Sequence, residues 1–179
     1  MKGRPVPPDS RRARPRRTHA GPDTLSPMAQ PSSPMCAAIE AARAARGSTS
    51  PNPWVGAALV RDGRILSVGA TSPYGGPHAE AAALAGVDAR GAALYVTLEP
   101  CVPFPGKRTP PCSEAIVAAG VTRVVVGILD PHVGGAGIAH LRAAGVQVEV
   151  GDGAAEVTEL LRPYLYFRQV GRPYVTAKF

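Results

Sequence analysis

Three residues far apart in the chain constrain its fold more than any other feature. They are His78 in Gly76-Pro77-His78-Ala79-Glu80, Cys101 in Glu99-Pro100-Cys101, and Cys112 in Thr109-Pro110-Pro111-Cys112. One imidazole and two thiols are the ligands a catalytic zinc takes when its fourth position stays open to water. If they share one ion, the chain must fold so that all three stretches converge. Glu80, two residues past the histidine, adds a carboxylate where such a water needs a proton shuttle.

Taken singly, each residue has a plainer explanation. A lone cysteine is usually a small buried hydrophobe, and a histidine can simply open a helix. Their joint order argues for a site instead. Proline precedes each cysteine, and the whole set falls between apolar runs that read as strands and segments that read as helices.

The elements follow from the pattern. Met35 to Arg46 is Ala-rich and reads as a helix ended by Gly47. Ser50-Pro51-Asn52-Pro53 is a turn. Trp54 to Arg61 and Arg64 to Ala70 read as two strands joined by an Asp62-Gly63 hairpin turn. A loop then leads into a helix opening at His78 and running to about Val87. Ala92 to Leu98 is a buried strand with Glu99-Pro100-Cys101 at its end, and Cys112 to about Ala119 is the next helix. A helix N-terminus lowers a thiol's pKa, so Cys112 is expected to be a thiolate. Thr122 to Leu129, Ile138 to Ala144, and Val146 to Val150 read as strand, helix and strand. Ala154 to about Gln169 is a last helix, expected to be interrupted by Pro163 and to kink there. The order predicts a three-layer α/β/α domain with a mixed sheet of about five strands. Site residues then lie at helix starts and strand C-terminal ends, where open α/β sheets bind ligands.

A chain of 179 residues suits one domain with one core, and 45% hydrophobic residues can fill it. The formal charge of +7 suggests nucleic acid until it is located, because residues 1–34 alone contribute +5. That segment also holds eight prolines and little apolar periodicity, so it reads as a disordered basic arm. Its run Arg11-Arg12-Ala13-Arg14-Pro15-Arg16-Arg17 is expected to be a solvated tail and not a nucleic-acid site, or the product of a start upstream of Met28 or Met35. No apolar run approaches the ~18 residues a membrane-spanning helix needs. The arm has no apolar segment of the secretory kind. Three cysteines, two of them assigned to metal, form no disulfide framework, so a reducing cytoplasm is the expected location.

A His-x-Glu followed by Pro-Cys and a second Cys is the known signature of zinc nucleobase deaminases. Beyond it, the chain resembles the deaminase domain of the riboflavin-biosynthesis pyrimidine deaminases, usually found fused to a reductase. The resemblance covers about residues 35–179 and rests on several blocks. They are Pro51-Asn52-Pro53 with Val55-Gly56, Gly76-Pro77-His78-Ala79-Glu80, Tyr95-Val96-Thr97-Leu98-Glu99-Pro100-Cys101, Arg108-Thr109-Pro110-Pro111-Cys112, Asp130-Pro131 and Ala143-Ala144-Gly145-Val146.

What the resemblance implies is a cytidine deaminase-like fold and a zinc-dependent hydrolase. Its reaction would remove the 2-amino group of 2,5-diamino-6-ribosylamino-4(3H)-pyrimidinone 5′-phosphate, releasing ammonia. His78, Cys101 and Cys112 would hold Zn2+, and Glu80 would move protons. Asn52 would hydrogen-bond the pyrimidine nucleotide, Lys107 and Arg108 would meet its 5′-phosphate, and Asp130 would lie near its ribose. His132 stands where the family often has asparagine. A homo-oligomer is expected, with a separate reductase as a candidate partner. The alternative is a zinc deaminase of another pyrimidine or purine; an RNA-binding protein acting through the arm ranks below both.

Two departures from the family pattern bear on substrate. Ten residues separate Cys101 from Cys112, more than is usual, and Val102-Pro103-Phe104-Pro105 replaces a Ser-His that helps bind substrate. The domain is therefore read as residues 35–171. Residues 172–179, Arg172-Pro173-Tyr174-Val175-Thr176-Ala177-Lys178-Phe179, resemble the first strand of the reductase absent here. Both a stand-alone deaminase and a fragment of a bifunctional chain fit that reading.

Overall fold

The computed structural model describes Gly3, residues 30–103 and residues 110–178. Most of the arm, and Lys107 and Arg108, lie outside the described residues. Within them the order is α1 (Ser33–Ala45), β1 (Gly56–Arg61), β2 (Arg64–Ala70), α2 (Ala79–Leu84), β3 (Ala93–Leu98), α3 (Cys112–Ala118), β4 (Arg123–Ile128), α4 (Ala136–Ala143), β5 (Gln147–Val150) and α5 (Ala154–Val170).

The hairpin of β1 and β2 turns as its sequence demands. Asp62 and Gly63 both have positive φ, at 52° and 72°, which is the two-residue turn whose twist matches the flanking strands. The sheet order is β2-β1-β3-β4-β5. β1 is antiparallel to both β2 and β3, whereas β3, β4 and β5 run parallel. The sheet is therefore the expected mixed one of five strands.

Parallel neighbours require crossover connections, and here α3 links β3 to β4 and α4 links β4 to β5 over one face. There α2, α3 and α4 adjoin in sequence, while α1 and α5 meet on the opposite face. The Ala-rich helices can approach the sheet closely only where it lacks side chains. A Cβ at Gly56 would collide with the carbonyl oxygen of Ala38 in α1, and one at Gly69 with that of Ala79 in α2. Between the layers Leu59, Leu94, Val96, Ile116, Val124, Val126, Leu141 and Leu161 are fully buried, each worth roughly 1.5–3 kcal/mol of transfer free energy.

Three details differ from the sequence reading. α1 begins at Ser33, before Met35, with Pro34 in its first turn. Ser32 is anchored across the fold, its amide and hydroxyl both bonding the Asp152 carboxylate, at 2.9 and 2.5 Å. α2 is only six residues long and stops before Val87. α5 runs unbroken through Pro163. The proline removes the bond to the carbonyl of Glu159, and that residue is exposed, so water can replace it. Residues 172–178 form no regular element and are exposed. Among the described residues no helix is long and apolar enough to cross a membrane.

Candidate active site

Backbone geometry explains why the three distant candidate ligands meet. His78 is the N-cap of α2, with extended φ/ψ of −73° and 163°. Pro111 caps α3 in the same conformation, so Cys112 is that helix's first residue. Proline suits this place because its missing N–H is one a helix start leaves unpaired anyway. Cys101 follows the C-terminal end of β3, the central strand. It is coupled directly to α3, because the Ser113 amide bonds the Cys101 carbonyl at 3.1 Å and the Cys112 amide bonds Cys101 Sγ at 3.3 Å.

His78 Nδ1 lies 3.4 Å from Cys112 Sγ and 3.7 Å from Cys101 Sγ. All three donor atoms fall within 4.8 Å of one another. Among the described residues, this is the one cluster of such side chains that could hold a metal ion. Its N/S composition matches what zinc prefers.

The electrostatics of the protein groups by themselves favour protonated side chains. Cys112 is 3% exposed, and its thiol is pushed far above the ordinary range. The first cause is its hydrogen bond with Cys101, followed by burial and by the negative charge of Glu80. These neighbours reverse the lowered thiol pKa expected from a helix N-terminus. A divalent cation among the donors would reverse that preference. Glu80, 4% exposed on the first turn of α2, is itself raised. Burial raises it most, the bond from its backbone N–H opposes this, and Cys101's charge raises it further. A buried acid that favours its proton is a natural proton carrier.

His78, Cys101 and Glu80 line a cavity of about 380 Å³, with Cys112 buried beside them. Asn52, Asp130 and His132 line it as well, so the sequence candidates that can be located are brought together. The Asn52 turn is held by its own backbone, with its amide donating to Thr49 and its carbonyl accepting from the Thr49 hydroxyl. Asp130 both lines the cavity and caps a turn, accepting the His132 amide at 2.8 Å. Lys107 and Arg108 lie outside the described residues.

Three lining residues were not foreseen. Glu99 is 4% exposed and accepts three backbone amides, from Asp130 at 3.2 Å, Gly135 at 3.1 Å and Gly137 at 2.9 Å. It thereby fixes the loop that carries Asp130 and His132. Gly137 allows the approach, since a Cβ there would strike the Pro100 carbonyl. The signal for Glu99 was available: a glutamate entering a buried stretch beside a Gly-rich loop needs amides to satisfy it. Tyr164 and Arg168 come from α5. The Tyr164 hydroxyl donates to both Asp130 oxygens at 3.0 Å. Burial, then the Asp130 charge, raises its own pKa. The i,i+4 spacing that puts Tyr164 and Arg168 on one face gives no hint that the face borders the cavity. The position of α5 is secured from elsewhere, including the Trp54 indole, which bonds the Leu160 carbonyl at 3.2 Å.

Comparisons with known proteins agree with this geometry. The family profile described as "Cytidine and deoxycytidylate deaminase zinc-binding region" matches residues 28–128. The chain is 46% identical over 146 residues to the riboflavin biosynthesis protein RibD of Aquifex aeolicus, covering 79% of this chain and 40% of that protein. To RibD of Bacillus amyloliquefaciens it is 47% identical over 148 residues, covering 80% and 39%. A solved structure is also similar, that of a diaminohydroxyphosphoribosylaminopyrimidine deaminase/5-amino-6-(5-phosphoribosylamino)uracil reductase from Thermotoga maritima. It superposes with a TM-score of 0.72 at 39% identity, over 79% of this chain and 42% of that one. The chain thus spans about two fifths of the length of these relatives.

Proposed function

The chain belongs to the cytidine and deoxycytidylate deaminase zinc-binding family, and from that premise we propose a substrate and a division of labour. The substrate is 2,5-diamino-6-ribosylamino-4(3H)-pyrimidinone 5′-phosphate. Its 2-amino group is replaced by a carbonyl oxygen from water, with release of ammonia. The observation that carries this reading is the convergence of His78, Cys101 and Cys112 within 4.8 Å beside a buried Glu80. RibD relatives at 46% and 47% identity support the choice of substrate.

In this reading His78, Cys101 and Cys112 hold the zinc. When bound, zinc supplies Lewis acidity that makes water a usable nucleophile near neutral pH. Glu80 takes one proton from that water and gives it to the ring nitrogen beside the reacting carbon; it then takes the second proton, from the hydroxyl now on that carbon, and passes it to the departing amine as the carbonyl forms. Its buried setting suits the role, because an acid poised to hold a proton can also return it. Asn52 and Asp130 position the ribosylamino-pyrimidine, and Asp130 is held in place by Tyr164 and the His132 amide. His132 borders the same side, and Lys107 and Arg108 grip the 5′-phosphate as charge-assisted donors.

The deaminase domain is residues 35–171, with Ser32 and the first turn of α1 seated against it; residues 172–179, which form no regular element where described, resemble in sequence the start of a reductase domain. The protein acts in the cytoplasm as a homo-oligomer, its product passing to a reductase. The test is ammonia release from the phosphorylated diaminopyrimidine by zinc-loaded protein, run beside cytidine, deoxycytidylate, guanine and adenosine. Turnover confined to one of the latter substrates would leave the zinc chemistry standing and overturn the substrate.

A further inference from the structure

The charge around the cavity is uneven. Glu80, Glu99 and Asp130 bring three carboxyl groups to its wall, whereas Arg168 is the sole arginine or lysine among the described lining residues. A ligand with an anionic tail would find in Arg168 the one guanidinium among these described lining residues, in addition to Lys107 and Arg108 of the Cys101–Cys112 loop. Glu99 and Asp130 are already committed to the amides and the hydroxyl described above, and no carboxylate among the described residues forms an ion pair with Arg168. Its guanidinium instead lies 5.7 Å from the centroid of the Tyr164 ring. This cation–π contact, with a hydrogen-bond interaction between Arg168 and the Tyr164 side chain, pre-orders a cation without neutralising it.

Position matters too. Tyr164 is partly buried and reaches inward to Asp130, whereas Arg168 is exposed one helical turn further along α5. Tyr164 therefore marks the inner wall and Arg168 the mouth. A substrate that puts its ring at His78, Cys101 and Cys112 must leave its far end towards the mouth.

We propose that Arg168 is a phosphate-binding residue of this cavity, held ready by its contact with Tyr164, and that α5 thereby selects phosphorylated over unphosphorylated substrates. This rests on the reading of the site as a nucleotide deaminase and adds a contact from an element separate from the Cys101–Cys112 loop. Phosphate is remote from the reacting carbon, so its binding is expressed mainly in KM.

The experiment compares wild type, Arg168→Ala, Arg168→Gln and Arg168→Lys, each checked for zinc content and melting temperature. With the phosphorylated diaminopyrimidine, the Ala and Gln variants should raise KM about 10- to 100-fold, the scale of one lost charged hydrogen bond, with kcat little changed. Lys should recover part of the loss. Turnover of the dephosphorylated nucleoside should not move. An equal effect on both substrates, or on neither, overturns the proposal even if the enzyme deaminates the nucleotide well. If wild type fails to turn over that nucleotide, the substrate reading has failed by itself. Binding of ribose 5-phosphate measured by calorimetry then decides the matter: at least tenfold weakening in Arg168→Ala supports the phosphate role, and unchanged binding ends it.

Discussion

Replacing Glu99 by glutamine changes one atom of the side chain and tests how the floor of the cavity is built. The carboxylate accepts the Asp130 and Gly135 amides through Oε2 and the Gly137 amide through Oε1. Glutamine has one acceptor oxygen. Placed at Oε2 it keeps two of the bonds, and its NH2 then faces the Gly137 N–H, donor against donor. One charge-assisted bond is lost, at about 1.5–3 kcal/mol, and a buried amide is left unpaired. The expected loss is about 2 kcal/mol, which for a domain of this size lowers Tm by roughly 4–8 °C. Glu99→Ala orphans all three amides and should cost more, about 3–5 kcal/mol even with some replacement by water. Denaturant melts at fixed, saturating zinc compare the variants under one reference condition. Amide exchange at Gly137 should accelerate in the glutamine variant before that at Asp130 or Gly135. Stability of Glu99→Gln within about 0.5 kcal/mol of wild type, an ordinary surface-substitution effect, would refute the view that this carboxylate holds the loop.

Other predictions concern the ligands and the helix beside them. Changing Cys101 and Cys112 together to alanine should abolish zinc binding, read as zinc per chain by elemental analysis; full occupancy would remove the ligand assignment. In the intact protein zinc retention should weaken as pH falls, since binding displaces protons from thiols and Cys112 starts from a raised value; an equilibrium chelator competition that is flat with pH would contradict this. Glu80→Gln should keep zinc and fold but lose about two orders of magnitude or more of ammonia release, and near-wild-type turnover would rule out the proton shuttle. Ser113 is fully buried, and its hydroxyl has no hydrogen-bond partner among the described residues. Ser113→Ala should therefore leave stability unchanged or raise it by about 1 kcal/mol, and a clear loss in a denaturant melt would reveal a partner for that hydroxyl.

The sequence by itself determined the local parts. Asp62-Gly63 dictated a hairpin turn because two consecutive positive φ angles need such residues. Apolar strand runs separated by Ala-rich helices dictated a layered α/β domain. The ligand set could be read because histidine, cysteine and glutamate in a fixed order carry chemistry that packing residues do not. Proline before each cysteine further marked where strands stop and helices start. Tertiary structure decided what depends on contacts between distant segments. Only the parallel pairing of β3 with β4 sets Glu99 against the 130–137 loop, and only the seating of α5 brings Tyr164 to Asp130. The raised pKa of Cys112 also belongs to the fold, because its hydrogen bond with Cys101, its burial and the nearby Glu80 come together only there. Turn and helix preferences act over a few neighbouring residues, so a sequence displays them directly. Burial and charge coupling arise between groups many residues apart, and their sign is set only when the chain has closed around them.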